Sequence, residues 1–232
     1  MSYNIIGDIA GRYKTLLALL IKMPKGKVLS VGDMVDRGPR SKEVLDFFMN
    51  NPNAEALLGN HEHLMLDFIK KIGFYYDECW IDNGGHHTIK CFNPAFRSKP
   101  NPHMIDDKYA EWISKLPLFK YLPENDAGLK GFVSHAMKNP SLTLEQVCDI
   151  DKALTDRRLG RDPISETILW YRYDPKRIKD HYQICGHNSH WGLKRFNDKE
   201  GEYAICIDTS RQCVLTGLHW PTMEIFQQEY ID

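Results

Sequence analysis

The sequence predicts an α/β protein built on a mixed β-sheet or on two packed sheets. Three observations predict it. The first third alternates short apolar runs with helical periodicity in the order β-α-β-α-β, which requires parallel strands joined by crossover helices. Three glycine-bearing turns each follow one of those strand candidates, with twenty residues between Gly11 and Gly32 and twenty between Gly38 and Gly59. The end of the chain is rich in short apolar runs with strand character.

Tyr3 to Ile6 reads as a strand and Asp8 to Gly11 as a turn. Arg12 to Lys22 is a helix that stops before Pro24, and Val28 to Val31 is a second strand. Ser41 to Asn50 is a helix with Ser41 as N-cap, Ala54 to Leu58 a third strand, and Glu62 to Ile72 a helix closed by Gly73. Phe74 to Asp107 shows little periodicity and carries Asn83-Gly84-Gly85, Asn93-Pro94 and Lys99-Pro100-Asn101-Pro102, a long loop of the kind that is functional or mobile. Lys108 to Lys115 is a short helix, Leu118 to Leu122 and Gly131 to Ser134 are strands, and Thr143 to Arg158 is a polar helical stretch. Tyr182 to Cys185, Tyr203 to Ile207, Cys213 to Leu218 and Glu224 to Gln228 complete the strands. No linker, repeat or low-complexity tract divides the 232 residues, so a single domain over 1–232 is expected.

Composition narrows the function. Thirty basic against thirty-one acidic residues give a net charge of -1, which supplies no global attraction to nucleic acid or an anionic membrane. The longest apolar run, Leu16 to Ile21, is far shorter than a bilayer span, and the N-terminal residues carry no signal-peptide pattern, so a cytoplasmic protein is expected. The six cysteines contain no Cys-x-x-Cys pair and read as reduced thiols.

The chemistry sits on the three turns: Gly7-Asp8-Ile9-Ala10-Gly11, Gly32-Asp33-Met34-Val35-Asp36-Arg37-Gly38 and Gly59-Asn60-His61-Glu62. All three leave the carboxyl ends of neighbouring parallel strands, the edge where open α/β sheets place their ligands. Asp8, Asp33, Asp36, Arg37, Asn60 and His61 are delivered there, and carboxylate, amide oxygen and imidazole together suit manganese, iron or zinc. An arginine beside a cation site grips a phosphate oxygen pair, so the combination points to a phosphate ester. His135 and His187 each follow a short apolar run and are candidates for the same edge. Each also reads as a core histidine when taken alone. His63, His86, His87 and His103 read as surface or loop residues, with His86 and His87 beside the double glycine. Trp170, Trp191 and Trp220 read as core or rim aromatics.

Gly-Asp-x-x-Asp-Arg-Gly followed by Gly-Asn-His-Glu resembles the signature of the PPP-type, calcineurin-like metallophosphoesterases. The short length, the Trp80…Asn83-Gly84-Gly85 segment, Leu169-Trp170-Tyr171-Arg172 and Ile207-Asp208-Thr209 are most similar to the bacterial and phage lambda-type serine/threonine protein phosphatases. The resemblance implies two mixed β-sheets sandwiched between helices and two divalent metal ions, manganese first. It makes Asp33 the bridging carboxylate, Asn60, His135 and His187 the remaining ligands of one metal, and Asp8 a ligand of the other. It makes His61 the acid that protonates the leaving oxygen, oriented by Asp36, with Arg37 and Arg172 on the phosphoryl oxygens. The implied substrate is a phosphoserine or phosphothreonine protein. Nucleotide or RNA-end phosphatase activity, including hydrolysis of diadenosine tetraphosphate, is the alternative within the same resemblance.

One position departs from the pattern. The family's first motif is Gly-Asp-x-His-Gly, and Ala10 stands at the histidine. Alanine offers no ligand atom, which leaves Asp8 and Asp33 from the usual set. A weakly held ion, a substitute ligand, with His190 in Gly186-His187-Asn188-Ser189-His190 as the candidate, or a degenerate member that binds phosphorylated ligands without turnover are the three consequences to test.

Overall fold

In the computed structural model, which describes residues 1–70, 79–97, 101–150 and 163–232, two five-stranded sheets face each other. The first has the order β10-β9-β1-β2-β3, with β1 at Tyr3–Ile6, β2 at Lys27–Ser30, β3 at Ala54–Ala56, β9 at Val214–Trp220 and β10 at Glu224–Glu229. Strands β1, β2 and β3 run parallel, and β9 closes antiparallel on β1 with Tyr3 opposite Trp220. The second sheet has the order β4-β5-β6-β8-β7, with β4 at Phe119–Glu124, β5 at Lys130–Ser134, β6 at His181–Cys185, β7 at Lys194–Asp198 and β8 at Gly201–Cys206. Here β5, β6 and β8 run parallel, and β4 and β7 are antiparallel edges.

Strand alternation explains the layers. Tyr3, Ile5, Leu29, Val31 and Leu57 of the first sheet meet Val133, Tyr182, Ile184, Ile205 and Ile207 of the second in a dry inter-sheet core. Each such side chain contributes roughly 1.5–3 kcal/mol by leaving water. On the far side of the first sheet, α1 (Tyr13–Lys22), α2 (Ser41–Asn50) and α3 (Asn60–Lys70) bury Leu16, Leu19, Val44, Leu45, Phe48, Leu64 and Phe68. These positions recur at helical spacing, which is why one stripe of each helix faces the sheet. On the other face of the second sheet Cys185, Phe196 and Cys206 pack with Ala136, Met137 and Tyr171, and the short helix Leu144–Cys148 packs on Phe132 through Val147. No described helix is long and apolar enough to cross a membrane.

The sandwich predicted from sequence is present, and the differences are local. Helix α3 starts at Asn60, two residues before the expected Glu62, so Asn60 and His61 lie in its first turn. The expected end of that helix at Ile72 and Gly73 lies outside the described residues, as do 74–78 and 98–100 of the predicted loop. Ser41 is the first residue of α2 and caps nothing; its hydroxyl accepts the backbone N–H of Asp36 instead. The predicted loop contains a π-helical turn at Ile81–Gly85 that leads into α4 (His86–Phe92). Of the polar helical stretch, Leu144–Cys148 is helical with a Thr143–Gln146 capping box, and 151–158 lie outside the described residues. Strand β7 went unpredicted because Lys194 to Asp198 carries only one apolar residue, Phe196, and so has no readable alternation. All six cysteines are free thiols.

Candidate metal centre and active site

Each sheet sends the carboxyl ends of three parallel strands to one rim. Strands β1 and β2 deliver Asp8 and Asp33, and β3 leads into Asn60 and His61; β5, β6 and β8 end one or two residues before His135, His187 and Asp208. The backbone at these exits is forced into the left-handed region at non-glycine residues: Ala10 at φ 47°, Asp33 at 49°, Asp36 at 72°, Arg37 at 60° and His187 at 68°. Each such residue costs on the order of 1 kcal/mol or more, so the surrounding hydrogen bonds must hold them. Glu62 does much of that. Its carboxylate accepts the N–H groups of Asp33 (2.7 Å), Met34 (2.7 Å), Val35 (3.1 Å) and Gly59 (3.1 Å), tying the β2 exit to the β3 exit. Burial and Asp33 push the Glu62 carboxyl up to about 8, against the amides, which favour its anion.

The donor atoms converge in a way that fits a cation. His135 donates Nδ1–H to the Val31 carbonyl (3.1 Å), which leaves the Nε2 lone pair facing inward. That nitrogen lies 2.8 Å from Asn60 Oδ1 and 3.2 Å from His187 Nδ1, with His187 Nδ1 2.9 Å from the same Asn60 oxygen. Asp33 Oδ1 is 3.3 Å from His135 Nε2. Adjacent ligands around a six-coordinate divalent ion with bonds near 2.1 Å stand about 3 Å apart, the spacing seen here. Ligand atoms of Asp8, Asp33 and His135 also fall within 4.8 Å of one another, and all three residues are buried. The Asp8 carboxylate accepts the His187 N–H through both oxygens at 3.1 Å, and Gly186 is needed because a Cβ there would overlap Asp8 Oδ1.

Electrostatics agree with that fit. Burial raises the Asp8 carboxyl well above its ordinary value, with Asp208 and Asp33 adding like-charge repulsion. Burial also opposes ionisation of Asp33, yet His135, His61 and His187 hold it down to about 2. Burial keeps His135 and His187 below the usual imidazole value, so both are neutral donors at pH 7. Buried neighbouring carboxylates and neutral imidazoles are what a divalent cation relieves.

Beside the donors sits an acid–arginine pair. His61 Nδ1–H donates to Asp36 Oδ2 at 2.6 Å, and the Asp36 carboxylate also accepts Trp80 Nε1–H (2.9 Å) and the Thr88 hydroxyl (2.6 Å). Burial alone depresses the His61 imidazolium, but Asp33 and Asp36 outweigh it and raise its pKa. Arg37, exposed on the rim, places Nη2 2.9 Å from His61 Nε2. The double glycine has its explanation here: a Cβ on Gly84, at φ 112°, would stand 2.9 Å from Arg37 Cγ, and Gly85 lies against the Trp80 ring.

The structure thus brings together Asp8, Asp33, Asn60, His135 and His187, with His61, Asp36 and Arg37 alongside. Arg172 is exposed and reaches Asn188 Oδ1 at 3.3 Å, on the loop that follows His187. His190 is half-buried with its N–H 3.3 Å from the Asp208 carbonyl, and it is outside the Asp8–Asp33–His135 group. Sequence reasoning assigned no role to Asp208, Glu62, Thr88, Trp80 or Tyr230. Asp208 had a signal, since Ile207-Asp208 repeats the strand-then-carboxylate pattern of Ile6-Gly7-Asp8 on a β8 that pairs with β6. Trp80 stood in a segment that carried the resemblance but with no partner named, and Thr88 had no signal, because the Asp36 carboxylate that both meet is reached only through the tertiary fold. Tyr230 has a buried hydroxyl without a partner among the described residues, and Asp208, Asp8 and Arg12 are among its charged neighbours.

Paired sheets that deliver carboxylate, amide and imidazole donors next to a histidine–aspartate pair and an arginine define a metal-dependent phosphoesterase architecture. The chain belongs to the calcineurin-like phosphoesterase family, whose model matches residues 1–211. It is 27% identical over 192 residues to a symmetrical bis(5'-nucleosyl)-tetraphosphatase of Shewanella baltica, covering 77% of this chain and 60% of that relative. A protein of the same name from Coxiella burnetii is 29% identical over 146 residues, covering 61% of this chain and 44% of that one. The chain therefore spans about 60% of the length of the first of these relatives. Among solved structures, a cold-active protein-tyrosine phosphatase of a Shewanella species superposes with TM-score 0.61 at 16% identity, covering 99% of this chain and 78% of that one. A protein serine/threonine phosphatase from Saccharomyces cerevisiae gives 0.56 at 18% identity, covering 100% and 81%. At these identities the structural likeness concerns the fold.

Proposed function

We propose that the chain hydrolyses a phosphoanhydride or phosphate ester with two divalent ions, and that a dinucleoside tetraphosphate is its first candidate substrate. The observation that supports the reaction class is the convergence of Asp33, Asn60, His135 and His187 donor atoms beside the His61–Asp36 pair. The motif resemblance taken alone pointed to a phosphoserine or phosphothreonine protein; the names of the curated relatives support the dinucleotide, the alternative within that resemblance, and we take it first. Bound divalent ions supply phosphoryl-charge neutralisation and a more acidic attacking water.

The residues divide the remaining work. Asp33, Asn60, His135 and His187 would hold one ion, and Asp8 together with Asp33 would hold the other. Ala10 removes an imidazole from that second set and leaves it oxygen-rich, which favours manganese over zinc or iron. Arg37 and Arg172 bind phosphoryl oxygens. Arg37 Nη2 stands 2.9 Å from His61 Nε2, a contact in which the guanidinium can only donate. A phosphate that takes the guanidinium would free Nε2 to take up a proton from solvent, which the Asp33 and Asp36 carboxylates favour, and His61 would pass that proton to the leaving oxygen. The intact His61–Asp36–Arg37 arrangement supports turnover over a purely binding role.

The test is incubation of the purified chain and manganese with diadenosine tetraphosphate, a phosphoserine peptide and p-nitrophenyl phosphate. The expected dinucleotide products are two molecules of ADP per tetraphosphate and water consumed, read by chromatography. Hydrolysis of the peptide with no turnover of the dinucleotide would return the substrate to phosphoprotein, and no turnover of any of the three would leave the binding role.

A further inference from the structure

Two large aromatic side chains stand in solvent on the loops that carry Arg172 and follow His187: Trp191 at 74% exposure and Tyr173 at 69%. A single exposed aromatic is ordinary. What distinguishes Trp191 is how firmly the residues before it are held. Asn188 donates its N–H to the Gly186 carbonyl (2.8 Å) and accepts from Arg172 through its side chain (3.3 Å). Ser189 Oγ accepts the Arg211 N–H (2.7 Å) and the Ser210 hydroxyl (2.9 Å), and His190 N–H meets the Asp208 carbonyl (3.3 Å). After Trp191 the chain turns at Gly192, φ 116°, and Lys194 pairs with Asp174 at 2.6 Å, which joins the two loops. Every residue from Asn188 to His190 is pinned, and the next one presents its indole to water.

The Arg211 guanidinium lies over the Trp191 ring, 5.8 Å from its centroid. A cation on one face of an indole polarises the ring and steadies it, while most of the side chain stays open to solvent. Trp191 is four positions after His187, so the backbone between them reaches at most about 14 Å. That is the scale of one nucleotide from phosphate to base. Arg172 is bonded to Asn188, on the segment that joins the two.

We propose that Trp191, backed by Arg211, is a stacking platform for the nucleobase of a nucleotide whose phosphates occupy the metal centre. The flat, sequence-tolerant π-face of a purine matches this surface, and base–aromatic stacking is worth roughly five- to a hundredfold in affinity. The inference deepens the proposed function and rests on it for the choice of a nucleotide substrate.

The experiment has two arms. In the first, kcat/KM is measured for the parent, Trp191→Ala and Trp191→Phe with diadenosine tetraphosphate and with inorganic tetraphosphate, which has the same anhydride bonds and no base. Trp191→Ala should lower the dinucleotide-to-inorganic ratio about tenfold or more, and Trp191→Phe should restore most of it. An unchanged ratio overturns the platform. In the second arm, adenosine α,β-methylene diphosphate, whose P–C–P link cannot be hydrolysed, is titrated against tryptophan fluorescence with manganese present, so that the phosphate end has its site and no anhydride is cleaved. The parent should be quenched saturably and Trp191→Phe should not; equal quenching in both, or none in either, overturns the proposal. Should the parent hydrolyse only the phosphopeptide, the substrate reading fails, and the titration with the methylene analogue still decides the aromatic on its own.

Discussion

Gly32→Ala tests whether the strand exits are packed as tightly as the metal centre requires. Gly32 has φ 107°, and a Cβ there would stand 2.6 Å from Gly59 Cα and Gly59 N and 3.0 Å from His135 Nδ1. Ordinary contact begins near 3.4 Å, so the β2 and β3 exits must part by about 0.8 Å. Gly201 is the matched control, with the same φ of 107° and nothing within 4 Å of its Cβ position. Gly201→Ala should therefore show the backbone strain alone, about 1–3 kcal/mol. Gly32→Ala should add an overpacking cost of about 1–3 kcal/mol. At about 2–4 °C per kcal/mol for a chain of this size, the two variants should separate by several degrees in melts run in EDTA. Metal donors tolerate displacements of only about 0.2 Å, so Gly32→Ala should also lose manganese on dialysis while Gly201→Ala retains it. A movement of roughly 1 Å at the reacting groups costs about a hundredfold in rate, and kcat/KM should fall on that scale. If Gly32→Ala melts no lower than Gly201→Ala and holds the same manganese, the exits are looser than these contacts require and the packing account is wrong.

Two further outcomes are expected. His61→Asn should leave manganese content unchanged and reduce turnover of an alkyl phosphate by about 10²–10⁴-fold, with a much smaller loss on p-nitrophenyl phosphate, whose leaving group departs without a proton; equal losses on both would remove the acid role. Away from the centre, burial would raise the Asp46 carboxyl, but hydrogen bonds from Lys42 and Tyr109 outweigh it and lower the pKa from 3.8. A depressed carboxylate stabilises the fold above its unfolded value and loses that contribution as pH falls through the folded one. Because the side chain is one-third exposed, Asp46→Asn should cost no more than about 1 kcal/mol, with the deficit full at pH 7 and shrinking below pH 3.8 in urea titrations; a deficit that grows in acid contradicts the sign.

Much of the first sheet was legible because its signals are local. Strand, turn and helix alternate with regular spacing, and the glycines announce the exits that carry Asp8, Asp33 and Asn60. His135 and His187 were harder, since nothing in Ser134-His135 or Gly186-His187 says that β5 and β6 end on the rim used by β1 and β2. That convergence is produced by the inter-sheet core of Ile5, Val31, Val133 and Ile184, which no local pattern encodes. The hydrogen bonds that set the chemistry were least legible. Asp36 meets Trp80 and Thr88 across 44 and 52 residues, through a π-helical turn in a segment whose sequence reads as loop. Ser41 illustrates the same limit: its type suggested a cap, and the fold uses its hydroxyl on the Asp36 backbone.

Ala10 is where sequence and structure have to be read together. Its φ of 47° is uncomfortable for alanine, yet the turn is fixed by three bonds: Ala10 N–H to the Asp33 carbonyl (2.8 Å), Gly11 N–H to the Met34 carbonyl (2.9 Å) and Gly38 N–H to the Ala10 carbonyl (2.9 Å). The first two exits are thereby locked together whether or not position 10 carries a ligand, so losing the imidazole does not dismantle the scaffold. What remains at the β1 exit is Asp8 between Asp33 and Asp208, each raising the cost of its ionisation. An imidazole would have added a neutral donor; its absence makes charge neutralisation the dominant attraction between this site and a cation. On the proposed reading, the second ion is therefore held chiefly by carboxylate charge. Its affinity should fall as pH drops through the raised Asp8 value, and manganese titrations at two pH values should show this loss at one site before the other, because protonating Asp8 removes most of what binds it.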